Sequence, residues 1–160
     1  MNEQHAHFQV DGLMELGNLA VNNDNNQEMI TQLGGISRIV SAMKDHPMNA
    51  YVQEYGCAAL QKLAENENNK VVIADEEGIA RIVSAMRTHP NNANVQEYGC
   101  AALRCLAENN EKNRVMIVKA GGKVTIACAL QHNKSNVCVG KEGHTSALHK
   151  MTQSKGFCEG

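Results

Sequence analysis

Apolar residues return along this chain at the spacing of one helix face, in blocks that themselves repeat. Ile79, Ile82, Val83 and Met86 stand at i, i+3, i+4 and i+7, and Ile36, Ile39, Val40 and Met43 set the same stripe one block earlier. Both stripes stop at a His-Pro step, His46-Pro47 and His89-Pro90, where proline disfavours a continuing helix. A longer stretch follows, VQEYGCAALQKLAEN from Val52 to Asn66, in which Val52, Gly56, Ala59, Leu60 and Leu63 share a face; it returns as VQEYGCAALRCLAEN from Val95 to Asn109. A third signature, Asn69 to Asp75, is a short apolar turn of helix after an Asn-rich cap, ending before Gly78. The unit therefore reads as a brief helix, a second helix and a longer third helix.

The register holds across the unit. Ser41-Ala42-Met43 recurs as Ser84-Ala85-Met86, and Tyr55-Gly56-Cys57 recurs at the same interval as Tyr98-Gly99-Cys100. Asn69 to Gly78 matches Asn113 to Gly122 at one residue more, the insertion falling in the turn from Glu108 to Lys112. No such helix can bury its stripe alone, so neighbouring units must stack into a quasi-linear α-solenoid. HFQVDGLMELGNLAVNN aligns with the third-helix pattern at the start, and KEGHTSALHKM matches QEYGCAALRCL near the end. The expected organisation is a single repeat domain over 1–160: a partial repeat 1–21, repeats 22–65 and 66–108, a degenerate repeat 109–153, and a tail 154–160.

This unit resembles the armadillo repeat. The family's third helix, approximately V-Q-E-x-A-A-x-A-L-x-N-L-A, is followed by an Asn-rich turn, N-K, a Gly and the next second helix. The matching strings are Val52 to Ala64 with Asn69-Lys70 and Gly78, and Val95 to Ala107 with Asn113-Arg114 and Gly122. The first partial unit matches through Leu16, Asn18, Leu19 and Ala20, then Gly34-Gly35. The resemblance implies an all-α, right-handed α-solenoid of stacked three-helix repeats that binds extended peptides or protein surfaces along its third helices. In importin-α-like members a Trp and an Asn four residues on clamp the peptide. Here the Trp positions hold Met14, Ala58, Ala101 and Ser146, and the Asn positions hold Asn18, Lys62, Cys105 and Lys150, so only Asn18 matches.

Helical periodicity points to the same face. Glu54, Ala58, Gln61 and Glu65 form a stripe opposite the apolar one, with Lys62 on its flank, and this stripe is expected to face solvent or a ligand. The two near-identical copies differ only where Gln61 and Lys62 become Arg104 and Cys105, on that stripe or beside it. The expected partner-binding residues are Asn18, Glu54, Gln61, Lys62, Glu97, Arg104 and Lys150. Glu54, Glu65, Glu97 and Glu108 dilute the basic residues, so no strongly acidic ligand is expected.

Composition narrows the class. A net charge of −2 with interleaved signs offers no broad cationic surface for a phosphate backbone, so no nucleic-acid partner is expected. No signal-like or membrane-spanning apolar run is present, and the six cysteines include Cys57 and Cys100 at equivalent positions among small residues. Reduced thiols in a cytoplasmic or nuclear protein fit this better than disulfides, and no membrane partner is expected.

No catalytic constellation, cofactor motif or metal spacing emerges. His46, His89 and His132 recur at second-helix ends as C-terminal caps. Cys100 and Cys105 point to different faces of one helix, and Cys138, His144, His149 and Cys158 have no finger spacing. Gly34-Gly35 and Gly121-Gly122 read as turn glycines, and the runs Asn22 to Asn26 and Asn66 to Asn69 as caps. The expected function is a non-catalytic protein–protein interaction module. The alternative is a scaffold that self-associates through uncapped solenoid ends.

Overall fold

Asparagines open most of the helices. The structure of the protein, a computed structural model, describes residues 3–133 of the 160. It contains α1 (Glu3–Ala20), α2 (Asp24–Gln32), α3 (Gly35–Asp45), α4 (Ala50–Leu63), α5 (Glu67–Asp75), α6 (Gly78–Thr88), α7 (Ala93–Ala107), α8 (Glu111–Lys119) and α9 (Gly122–Asn133), with no strand among the described residues. Asn23, Asn49, Asn66, Asn92 and Asn110 each accept a backbone N–H of the following first turn through the side chain, at the starts of α2, α4, α5, α7 and α8. A cap of this kind contributes about 1 kcal/mol. The expected third helix within 134–153, with Ser146, Lys150 and the His144 and His149 positions, lies outside the described residues.

A tight break separates each first helix from its second. Gly34 and Gly121 take left-handed φ values of 76° and 80°, and Glu77 takes φ 63° in the same place without glycine's freedom. The residue that follows is a glycine for a different reason: a Cβ on Gly35 or Gly78 would lie 2.5 Å from Ile30 or Ile73 Cγ2 and 2.8 Å from that residue's carbonyl oxygen. Backbone meets backbone there, and only glycine fits.

Packing follows the equivalence of the units. α4 lies between α1 and α7, α6 between α3 and α9, and α5 between α2 and α8. One core runs through the stack, with Ile39, Val52, Leu60, Leu63, Ile82, Val95, Leu103 and Leu106 wholly buried. The arrangement is all-helical and compatible with an α-solenoid.

Side-chain amides close the carbonyl ends of these helices. Gln53 Nε2 donates to the carbonyls of Met43 and His46, both at 2.9 Å, and Gln96 Nε2 repeats this to Met86 and His89 at 2.8 and 2.9 Å. Asn26, Asn69 and Asn113 donate in the same way to Leu19, Leu63 and Leu106, the last turns of α1, α4 and α7. Asn69 and Asn113 donate a second time, to Gln27 and Lys70 in the preceding first helix. The four terminal carbonyls of a helix have no partner of their own, and these amides supply several.

Buried amides that each hold two carbonyls have a measurable cost on removal. Asn113→Ala and Gln96→Ala are expected to lower the free energy of unfolding by about 1–3 kcal/mol each, because the buried Leu106 and Met86 carbonyls lose the amide that donates to them. Urea denaturation checks this beside Asn91→Ala, an exposed turn position, expected to stay within about 0.5 kcal/mol of wild type.

Candidate functional site

The third helices α1, α4 and α7 lie side by side, so the positions singled out in the sequence fall along one run of adjacent helices. Asn18 is exposed in the last turn of α1, and Glu97 is exposed on α7. Gln61 and Lys62 on α4 and Arg104 on α7 are half-buried. Lys62 Nζ lies 3.1 Å from Glu65 Oε1, with both side chains about one-third exposed, an ion pair worth little to stability. Arg104 Nε is enclosed with no hydrogen-bond partner among the described residues. Lys150 lies outside the described residues.

Two positions differ from the expected exposure. Glu54, expected on an open stripe, is only 8% exposed, because α7 packs across it and Asn94 Nδ2 donates to its Oε1 at 3.0 Å. Cys105, expected on or beside the exposed stripe, is likewise 8% exposed. Of the two variable pairs, only Gln61/Arg104 is half-exposed in both copies; at the other, Lys62 is half-exposed and Cys105 is buried.

The structure also gathers residues that sequence reasoning did not single out for the site. Tyr98 is half-buried, and its hydroxyl is held above its ordinary pKa first by burial, then by the negative charges of Glu97 and Glu54, against an opposing effect of Lys62. Tyr55 lies near enough to act on the same hydroxyl. Glu54, Lys62 and Glu97 are thus brought together around Tyr98 in the α4/α7 seam. The recurrence of Tyr55 and Tyr98 beside the two glutamates was the available signal. Asn94 carried none, since its counterpart one unit earlier is Tyr51.

The histidines act as connectors. His46 and His89 are the C-caps of α3 and α6, and the His89 Nε2 atom lies 2.9 Å from the Pro47 carbonyl of the preceding unit. Among the described residues no three His, Cys, Asp or Glu side chains are grouped to hold a metal ion, and no helix is long and apolar enough to cross a membrane.

Comparison with known proteins adds a short local likeness. A 40-residue stretch is 50% identical to the protein aardvark of Dictyostelium discoideum, covering 25% of this chain and 5% of that protein. No family model matches the chain. No solved structure matches it either.

Cys57 and Cys100 occupy equivalent buried positions, and burial pushes both thiols up to about 12, with Cys100 adding to the effect on Cys57. Deprotonation makes a thiol the nucleophile, so both are held in the inert form at neutral pH. A raised folded pKa means the folded state keeps a proton that the unfolded chain releases from pH 9 upward. Stability is therefore expected to fall between pH 9 and about 12, by about 1.4 kcal/mol per pH unit for each thiol. Urea unfolding across that range should show a shallower decline for a Cys57→Ala, Cys100→Ala double variant; equal slopes would refute the assignment.

Proposed function

We propose that this protein is an armadillo-like α-solenoid that acts as a non-catalytic protein–protein interaction module, binding an extended peptide or a protein surface along α1, α4 and α7. One observation carries the reading. Two adjacent helices share a near-identical sequence, yet their differences fall at Gln61/Arg104 and Lys62/Cys105, three of which are half-exposed on α4 and α7. Residues repeated for stacking stay constant, and residues that meet a ligand are free to differ between units.

The chemistry of these positions along α1, α4 and α7 suits a peptide backbone with mixed side chains. Arg104 offers a planar donor, Lys62 a mobile cation, Gln61 and Asn18 neutral amides, and Glu97 an acceptor. Glu54 supports the seam through Asn94 and so positions α4 against α7. The half-buried Tyr55 and Tyr98 supply flat apolar surface with a polar tip. The reduced, buried thiols accord with a reducing compartment.

Selection of peptides from a displayed random library on the full-length chain tests this. Selected peptides are expected to lose about tenfold or more in affinity to a Lys62→Glu, Arg104→Glu variant, the size expected for close charged contacts. The same peptides should bind a Lys44→Glu control on α3 as tightly as wild type. Selected peptides that bind all three forms equally would place recognition elsewhere.

A further inference from the structure

Two internal seats show how this fold holds a second helix. α3 rests on α4, and α6 rests on α7. In each seat the third helix presents three features in fixed register. Val52 and Val95 are wholly buried, Gln53 and Gln96 donate to the carbonyls ending the second helix, and Gly56 and Gly99 leave the hollow that a methionine fills. A Cβ on either glycine would lie 2.6 Å from Cγ of Met43 or Met86.

α1 repeats the register with Phe8, Gln9 and Gly12, but no described helix lies over them. A Cβ on Gly12 would meet nothing within 4 Å. Phe8 is 76% exposed where its counterparts Val52 and Val95 are at 0%. Gln9 and Gly12, with Leu13 and Leu16 of α1 and Ile39 and Ala42 of α3, line an open groove of about 660 Å3 between the two helices.

We propose that this groove is a docking seat for an amphipathic helix of a partner polypeptide built on the pattern of α3 and α6. The partner helix would carry an Ile/Val stripe, place a methionine in the hollow at Gly12, and end so that its last carbonyls accept from the Gln9 amide. The interface continues the one already made at α3/α4 and α6/α7, which specifies the occupant's chemistry. A second copy of the chain is a poorer occupant. Its α3 and α6 are buried within its own fold, and its α9 has Lys123 where α3 and α6 have Ile36 and Ile79, and Ala127 where they have Val40 and Val83. The seat is distinct from the α4/α7 seam and does not rest on the reading proposed for it.

The probe is a fluorescent peptide of residues 34–47, GGISRIVSAMKDHP, titrated against the full-length chain by anisotropy. The peptide must order on binding, so the titration extends to high micromolar chain. Saturable binding is expected. Gly12→Leu fills the hollow and should weaken it about tenfold, as overpacking a formed seat does. A peptide with Met43→Asp should lose binding to a similar degree, and Gln9→Ala should weaken it less. Gly12 is exposed on a helix with open space around it, so Gly12→Leu keeps the fold, with circular dichroism and thermal midpoint as the check. Absence of saturable binding, or binding that Gly12→Leu leaves unchanged, overturns the proposal. Concentration-dependent dimerisation of the chain that Gly12→Leu abolishes also overturns it, assigning the seat to a second copy.

Discussion

A side-chain amide donating to the open carbonyl end of another helix is the interaction on which this structure depends. Helices of nine to fifteen residues, such as α2 to α9, leave much of their length within a turn of an end, so unpaired carbonyls are a large share of their backbone. Gln53 and Gln96 close the ends of α3 and α6, and Asn26, Asn69 and Asn113 close those of α1, α4 and α7. Each bond also fixes an angle between two helices. Burial of isoleucine, valine and leucine supplies the drive to stack but tolerates sliding, whereas an amide and two carbonyls meet in one register only.

The same amides explain why the repeat was legible. Periodicity marked the apolar stripes, and the helices formed close to the expected places: Ile79 to Arg87 falls within α6, Asn69 to Asp75 within α5, and the VQEYGCAAL stretches within α4 and α7. One asparagine of each run, Asn23 and Asn66, is an N-cap with its N–H partners, while Asn26 and Asn69 further along donate to carbonyls. Equivalent residues repeat their partners across units, and a pattern repeated in sequence is one that a reader can find.

What was not legible depends on residues brought together from different units. Glu54 looks exposed on a helical wheel of α4, yet α7 covers it through Asn94, whose counterpart one unit earlier is a tyrosine. Lys70 reads as a surface lysine, but it is 2% exposed, held by Glu67 at 2.7 Å and by the Glu108 carbonyl at 2.9 Å. The equivalent positions are Gln27 and Arg114, which reach the carbonyls of Ala20 and Ala107. Gln27 and Arg114 close the third helix just before them, whereas Lys70 reaches forward to the end of α7, so equivalent positions serve different helix ends. Glu77 in the left-handed region is a similar case, a local strain accepted where neighbouring units use glycine.

These departures bear on how recognition can be placed in such a stack. A position whose side chain bonds a neighbouring unit cannot change without loosening the array, and Glu54, Asn69 and Asn113 are of that kind. Among the described residues, Gln61, Lys62 and Arg104 make no hydrogen bond or ion pair to another unit; the pair of Lys62 with Glu65 lies within a single turn of its own unit. Their replacement costs the packing between units little. The division between residues that hold units together and residues that are free to vary is thus drawn by the hydrogen bonds rather than by helical phase, which had grouped Glu54 with Gln61.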